Sequence, residues 1–457
     1  MRRRLLVSTC YLICVAAASV AGAQAVPRIR FEKYTLPNGL EVILHEDHST
    51  PVISVNTWYH VGSADEKPGR TGFAHLFEHL MFMGSQHVVN GVFDKELEAA
   101  GGNNNASTAE DRTNYYEDIP SNALPLALWL DSDRMGFLLP TMDKEKVDLQ
   151  RDVVKNERRE SVENSPYGIS DEIILAALYP NGHPYSWPVI GSMTDLSAAS
   201  VEDVKTFFRT YYAPNNATLS IAGDFDSIKT KRLINEYFGS IPRGPALPPR
   251  PSVVPVMLSR DTFLVAEDRV QLPRAFYEWP TPRQFSKDDA PLDILAAILA
   301  SDKNSRLYKR LVYDMQVVQS VRASQQSSRL ASKFEIDVTP KPGQGLAGID
   351  KIINEEITRL INERVTAREL ARAKNSYRTS FLNRIASVHG KADLLNEYNY
   401  LAGTPDYVQK DAARYDAVTQ ADVQRVARTY LGQHKLVLTI VPEGKRELML
   451  TGNGSGQ

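Results

Sequence analysis

A repeated segment constrains the fold of this chain more than any other feature of its sequence. The stretch "VEDVKTFFRTYYAPNNATLSI" at 201–221 is matched by "QADVQRVARTYLGQHKLVLTI" at 420–440, an offset of 219 positions. The identical pairs at this offset are Asp203/Asp422, Val204/Val423, Arg209/Arg428, Thr210/Thr429, Tyr211/Tyr430, Leu219/Leu438 and Ile221/Ile440. These identities indicate an internal duplication, so we predict two copies of one domain.

A proline-rich stretch separates the copies. "IPRGPALPPRPSVVPV" at 241–256 is predicted to be an extended linker, because proline fixes the backbone and removes hydrogen-bond donors. The predicted domains are therefore 26–240 and 257–450, and the polar tail 451–457 is expected to be flexible.

Each copy is predicted to be α+β. In "GLEVILHEDHSTPVISVNTWYHVGS" the alternation of apolar and polar residues around a turn predicts a pair of strands. Helical periods follow at 71–83, 92–100, 123–135 and 143–163. The break "GGNNNAS" precedes a strand candidate at 107–117, and strands at 216–222 and 435–441 are expected to close the two copies.

The first 25 residues are typical of a secretory signal peptide. Three arginines, an apolar run and small residues predict cleavage near Ala23 or Ala25 and an exported protein, periplasmic or secreted, without stable membrane insertion. A membrane anchor is the alternative interpretation. Both cysteines, Cys10 and Cys14, lie in this segment, so the mature chain has no thiol for disulfides or metal binding. The net charge of -2 gives no support to nucleic-acid binding.

The segment "GFAHLFEHLMF" contains the strongest chemical signal. His75 and His79 are four residues apart, so on a helix their imidazoles lie on one face and can converge on one metal ion. Glu78 can reach a water at that ion without being a ligand. Partly buried polar groups satisfied by hydrogen bonds are the alternative interpretation. The H-x-x-E-H order is the pattern of inverted zinc peptidases.

A third ligand is required to complete a zinc site with an open position. Glu157, on the long helical stretch, is expected on its apolar side near Val153 and Val154, with Glu160 and Glu163 facing solvent. Without further context a surface charge is the simpler interpretation of Glu157.

Several segments together resemble the pitrilysin/insulinase family of zinc metallopeptidases, in its short two-domain class similar to mitochondrial processing peptidase subunits. They are "LPNGLEVILHED", "HLFEHLMFMGS", "NNNASTAEDRTNYY", "VVKNERRESVENSPYG" and "GHPYSWPVIGS". The resemblance covers essentially the whole mature chain. It implies two homologous α+β domains, each an antiparallel sheet packed with helices, and one zinc ion held by His75, His79 and Glu157. Glu78 is then the general base of peptide-bond hydrolysis.

The second copy supplies a test of this assignment. At the offset of 219, His75, Glu78, His79 and Glu157 correspond to Ile294, Ala297, Ile298 and Ser376, provided that no insertion shifts the register near Ile294. We therefore expect the second domain to have no metal site and the helix face there to pack as apolar core.

The resemblance also implies substrate contacts and two departures from the family pattern. Asn105, Ala106, Ser107 and Thr108 correspond to an edge strand that pairs with an extended substrate, although an ordinary turn leading into a strand is equally consistent. Gln150 stands where relatives have a glutamate behind the ligands. In "RLVYDMQVVQSV", Val312 and Gln319 stand where many relatives carry an arginine and a tyrosine that bind substrate.

These departures leave two functions open. The first is a zinc endopeptidase acting on unfolded peptides, as a homodimer or as a heterodimer with a related chain that supplies the Arg/Tyr pair. The second is a non-catalytic or partly catalytic subunit of such a heterodimer that binds peptides. The ligand set is also compatible with manganese or cobalt.

Overall fold

A computed structural model describes residues 26–250, 252 and 255–452 of the chain. The predicted signal peptide at 1–25 and most of the predicted tail lie outside the described residues. Two sheets organise the described chain, one in each half, and helices cover their faces. Within the described ranges, every helix is too short or too polar to cross a membrane.

The first sheet has six strands in the order β1-β2-β6-β3-β5-β4. Its strands are β1 (Glu32–Thr35), β2 (Glu41–Glu46), β3 (Val52–Tyr59), β4 (Asn103–Thr108), β5 (Thr113–Pro120) and β6 (Ala217–Gly223). The helices of this half are α1 (Phe73–Leu80), α2 (Val92–Ala99), α3 (Leu124–Phe137), α4 (Lys144–Arg158), α5 (Ser170–Leu178), α6 (Met193–Ala198), α7 (Val201–Tyr211) and α8 (Ser227–Phe238).

The second sheet has five strands in the order β7-β11-β8-β10-β9. They are β7 (Thr262–Asp268), β8 (Arg274–Thr281), β9 (Val318–Gln326), β10 (Ser332–Pro340) and β11 (Leu436–Pro442). The helices of this half are α9 (Asp289–Ala300), α10 (Leu346–Asn362), α11 (Ala367–Arg384), α12 (Val388–Glu397), α13 (Val408–Ala417) and α14 (Gln420–Val426).

The predicted duplication is present in the structure. Helices α7 and α14 begin after Ser200 and Thr419, and each begins with a capping box, closed by Asp203 in the first half and Asp422 in the second. Strands β6 and β11 follow at the same offset, and each lies between a parallel neighbour and an antiparallel one. The sheets are therefore antiparallel, as the resemblance implied, except for the parallel pairs β2–β6 and β7–β11.

The two strands predicted around a turn are β2 and β3, and β6 from the end of the half lies between them in the sheet. The single strand expected at 107–117 is a hairpin, in which β4 pairs with β5 around a turn at 109–112. The "GGNNNAS" break thus contains most of β4, since pairing with β5 outweighs the weak strand propensity of asparagine.

One helix from each half packs on the sheet of the other half. Helix α5 of the first half packs on β8 and β11 of the second sheet, where Ile174 and Leu178 join a core with Leu436 and Leu438. Helix α12 of the second half packs on β2, β3 and β6 of the first sheet. There the Asn396 side-chain amide donates to the backbone carbonyl of Asn56 at 2.9 Å. Each sheet is therefore covered in part by the other half.

Candidate metal centre

Helix α1 carries the H-x-x-E-H motif on one edge of the first core. The helix begins after Gly72, whose φ of 88° is in the left-handed region that favours glycine. The buried carboxylate of Glu66 accepts the backbone N–H groups of Gly72 and Ala74 at 3.0 and 2.8 Å. The core side of α1 consists of Phe73, Ala74, Leu76, Phe77 and Leu80, which are buried. This packing orients His75, Glu78 and His79, which are only partly buried, away from the core.

Helix α4 brings Glu157 to the two histidines. Nε2 of His79 lies 3.3 Å from Glu157 Oε2, and Nε2 of His75 lies 3.7 Å from Glu157 Oε1. The two imidazole rings are 4.9 Å apart between centroids and nearly perpendicular, at 84°. One ligand atom from each residue lies within 4.8 Å of the others. The structure therefore brings together the three residues that the sequence and the resemblance assign to the metal.

The donor set fits a zinc ion. Bond lengths of about 2.0–2.2 Å to nitrogen and oxygen place the ligand atoms of a tetrahedral zinc site about 3.3–3.5 Å apart. The separations of 3.3 and 3.7 Å from Glu157 to the two rings are close to this value. His75, His79 and Glu157 leave a fourth tetrahedral position free, as in catalytic zinc sites.

The electrostatics of the site favour the protonation states that bind a metal. Burial lowers the pKa of His75, even though the carboxylates of Glu157 and Glu78 act in the opposite direction. The pKa of Glu157 is lowered, first by its hydrogen bond with His79. A neutral imidazole and an ionised carboxylate are the forms that coordinate zinc.

Glu78 lies beside the cluster but is not part of it. Its Oε2 accepts a hydrogen bond of 2.5 Å from the hydroxyl of Thr108, the last residue of β4. A cavity of about 280 Å³ opens next to these groups, lined by His75, Glu78, Ala106, Ser107, Thr108, Glu157, Val189 and Ile190. The Glu78 carboxylate, two of the three candidate metal ligands (His75 and Glu157) and the end of β4 thus surround one space.

Strand β4 is the edge of the first sheet, as the resemblance implied for a substrate strand. Among the described strands it pairs only with β5, so one row of its backbone groups faces no other described strand. Ala106, Ser107 and Thr108 line the cavity, whereas Asn105 is not among the lining residues. The Asn105 side chain accepts the backbone N–H of Ala106 at 2.8 Å instead.

Gln150 and its neighbours on α4 differ in part from the sequence-based expectation. Nε2 of Gln150 contacts the sulfur of Met83 at 2.7 Å, and within the described residues it makes no hydrogen bond to the three cluster residues. Val154 is fully buried, but Val153 is 40% exposed, because consecutive helical residues point about 100° apart. Glu160 and Glu163 are exposed, as predicted.

Val312 and Gln319 occupy a different part of the second half. Val312 is in a π-helical turn at Tyr308–Asp314 and packs against the second core. Gln319 is exposed on β9, the edge strand of the second sheet.

The counterpart of the metal centre in the second half is apolar. Ile294 and Ile298 lie on α9 and are 1% and 0% exposed within the second core. Helix α9 packs on α11, which carries Ser376, as α1 packs on α4, which carries Glu157. The second half thus keeps the same helix packing although these positions carry no metal-ligand residue.

Sequence reasoning missed two features of the site. Val189 and Ile190 form one wall of the cavity, and the Ile190 carbonyl is so close to Gly72 that a Cβ there would lie 2.7 Å from it. The segment "GHPYSWPVIGS" that contains them contributes to the family resemblance, but its sequence does not indicate that it lines the cavity. The hydrogen bond from Thr108 to Glu78 has no local sequence signal, since the residues are 30 positions apart.

Comparison with known proteins agrees with this architecture. Residues 41–186 match the model of the insulinase family (peptidase family M16), and residues 198–377 match that of the peptidase M16 inactive domain. The chain is 30% identical over 434 residues to the zinc protease PqqE of Helicobacter pylori, covering 94% of this chain and 96% of the relative. It is 23% identical to a probable mitochondrial-processing peptidase subunit beta of Arabidopsis thaliana, covering 89% of this chain and 77% of that one.

A solved structure shows the same fold. The crystal structure of a protease from Helicobacter pylori matches with a TM-score of 0.84 and 27% identity, covering 91% of this chain and 100% of that chain. Duplicated α+β halves, with a candidate metal centre that the described residues place in the first half, define a two-domain chain of the metallopeptidase type. The chain belongs to the insulinase family, peptidase family M16. The resemblance inferred from the sequence is therefore confirmed for the family and the fold.

Proposed function

We propose that this protein is a zinc-dependent endopeptidase that hydrolyses peptide bonds in unfolded peptides. The convergence of His75, His79 and Glu157 on one point, with Glu78 beside it, is the observation that carries this proposal. Relatives that bear the name zinc protease support the choice of metal.

The residues of the chain have distinct roles in this reaction. A zinc ion held by His75, His79 and Glu157 would supply Lewis acidity at this position. Glu78 takes the proton of the attacking water at Oε1, because Oε2 accepts the hydrogen bond from Thr108. The neutral ring of His75 and the ionised carboxylate of Glu157 are the forms of these side chains that can coordinate the metal.

The free edge of β4 is the reason that we propose an extended, unfolded peptide as the substrate. The main chain of Asn105, Ala106, Ser107 and Thr108 would pair with the peptide backbone and hold it along the cavity. Affinity then comes from main-chain hydrogen bonds, so sequence preference arises from side-chain pockets, such as the wall formed by Val189 and Ile190.

Replacement of Glu78 tests the enzymatic role directly. Glu78→Gln should bind zinc as the unmodified chain does and should lower kcat on a quenched peptide by about 10²–10⁴, the range for loss of a general base. Glu160→Gln, an exposed change in the π-helical turn after α4, is the matched control and should leave kcat unchanged. Unchanged turnover in Glu78→Gln would exclude Glu78 as the base.

A second candidate function is a peptide-binding subunit of a larger peptidase. Val312 and Gln319 replace the arginine and tyrosine implied by the family, and a relative named as a subunit is similar over 89% of this chain. Here the active unit is a heterodimer with a related chain that supplies the pair. Peptide binding by fluorescence anisotropy without cleavage, together with restored cleavage on adding the related chain, would favour this function over the first.

The place of action that we propose is the periplasm or the outside of the cell. The basis is the signal-like sequence at 1–25, with cleavage near Ala23 or Ala25. N-terminal sequencing of the exported protein tests this assignment.

A further inference from the structure

We propose that Thr108 is the positioning residue of the Glu78 carboxylate, and that Arg329 of the second half holds Thr108 in place through Asp111. The proposal rests on the proposed peptidase function, because it assigns a task to Thr108 within that reaction. It gives the second half a part in the site of the first half of the same chain.

The contact between Thr108 and Glu78 is short and specific. The Thr108 hydroxyl donates to Oε2 of Glu78 at 2.5 Å, and no other described side chain hydrogen-bonds this carboxylate. Glu78 is on the partly exposed edge of α1, where it would otherwise rotate among several rotamers. Because this hydrogen bond fixes Oε2, Oε1 is the free proton acceptor. The same bond keeps the Glu78 carboxylate away from the three cluster residues.

The turn that follows Thr108 is fastened to the first half by its backbone. The carbonyls of Ala109 and Glu110 accept the N–H groups of Ser63 and Ala64 at 3.3 and 2.8 Å. The Arg112 guanidinium donates to the carbonyl of Ser107 at 2.7 Å. These bonds fix the position of the end of β4 relative to α1.

Asp111, at the tip of the turn, connects it to the second half. Its carboxylate is buried, with 7% of the residue exposed, and it accepts the hydroxyl of Tyr185. Arg329, between β9 and β10, donates to it from Nε at 2.9 Å and from its backbone N–H at 3.3 Å. The Tyr185 oxygen in turn accepts the N–H of Leu330 at 3.1 Å. A buried, charge-assisted network of this kind fixes the turn in one arrangement.

The network therefore forms a continuous path from the second half to the base. Arg329 holds Asp111, the turn carries Thr108, and Thr108 holds Glu78. General-base catalysis depends on this alignment, since a displacement of about 1 Å can cost about 10² in rate.

Two substitutions at Thr108 test the first step. Thr108→Val keeps the shape but removes the donor, and it should lower kcat by about 10–100-fold while KM changes less than about twofold. Thr108→Ser keeps the hydroxyl and should restore at least half of kcat. Zinc content and Tm should match the unmodified chain in both variants. A raised KM with unchanged kcat in Thr108→Val would overturn the proposal in favour of a substrate-binding role.

A double-mutant cycle tests the second step. Arg329→Met should lower kcat several-fold in the unmodified chain and have no further effect in Thr108→Val, because both changes release the same carboxylate. Asp111→Asn, which keeps the size of the side chain, is the second variant if Arg329→Met fails to fold, and it should show the same non-additivity. Additive losses would place the action of Arg329 elsewhere and overturn this step.

The outcomes also separate this proposal from the proposed function. If the unmodified chain cleaves peptides and Glu78→Gln does not, the peptidase function stands, whatever Thr108→Val does. If Glu78→Gln cleaves at the unmodified rate, the function itself fails first.

Discussion

His79 Nε2 lies 3.3 Å from Glu157 Oε2, although the two residues belong to different helices of the first half. The contact exists because α1 packs against α4, so the geometry of the metal centre is set by the packing of two helices. The counterpart helices α9 and α11 pack in the same way with Ile298 and Ser376 at these positions. The scaffold therefore does not require the metal.

Removal of the carboxylate ligand should weaken metal binding strongly. Glu157→Gln should lower zinc affinity by more than about 100-fold, since even outer partners of a ligand contribute 10–100-fold. Competition with a chromophoric chelator measures this affinity. Glu163→Gln, an exposed glutamate six positions further along, serves as the control. Equal affinities for the two variants would remove Glu157 from the ligand set.

The two halves should respond differently to truncation at equivalent positions. Ile298→Ala should lower the free energy of unfolding of the metal-free protein by about 2–5 kcal/mol, because it leaves a cavity in a fully buried site. His79→Ala, with 23% of that side chain exposed, should cost less than about 1 kcal/mol in the same metal-free protein. Urea unfolding in the presence of a chelator compares them. A larger loss of unfolding free energy for His79→Ala than for Ile298→Ala would contradict the view that the fold is independent of the metal-site residues.

Neither half should be stable by itself. A fragment of residues 26–250 lacks α12 and exposes the faces of β2, β3 and β6 that this helix covers. We expect each fragment to aggregate or to give broad NMR spectra when it is produced alone, and both to become soluble on co-expression. A sharp, dispersed spectrum from the isolated first half would show that the helix exchange contributes little.

Stability should fall as the pH drops below neutrality, with His60 as one cause. Burial and the nearby charge of Arg250 lower the pKa of His60 to about 3, while Glu41 opposes the shift. Lys33 lowers the pKa further, and the ring stacks on Tyr400 of the second half at 4.3 Å. The folded-state pKa is below the unfolded value of about 6.5, so the stabilisation is complete above pH 6.5 and is lost progressively between pH 6.5 and 3.

The expected loss from His60 between pH 7 and 5.5 is about 1 kcal/mol. His60→Gln should remove this part of the pH dependence, as measured by urea unfolding at the two pH values. His434→Gln, on an exposed histidine of the second half, is the control and should leave it in place. If His60→Gln keeps the full dependence, another group is responsible.

Local sequence patterns were sufficient for several parts of the site. The spacing of His75 and His79 on a helix depends only on the 3.6-residue period, and the capping boxes at Ser200 and Thr419 fix helix starts within four residues. The constant offset between the halves predicted that Ile294 and Ile298 replace the ligands, and both are buried on α9. These features are short-range, so the sequence displays them directly.

Other parts depended on contacts between distant segments. The sequence did not indicate that β6 lies between β2 and β3, nor that α5 and α12 cross to the opposite sheets. It also gave no sign that Thr108 donates to Glu78 or that Arg329 holds Asp111.

Short patterns in the chain thus predicted the duplication, the helix that carries His75 and His79, and the absence of these residues from the matching positions of the second half. The meeting of Glu157 with the two rings and the hydrogen bond from Thr108 to Glu78 became visible only in the folded chain. The difference is one of range, because periodicity and capping act over a few residues, whereas these contacts depend on how separate helices and strands pack. Packing of that kind is set by the whole core and leaves no local pattern in the chain.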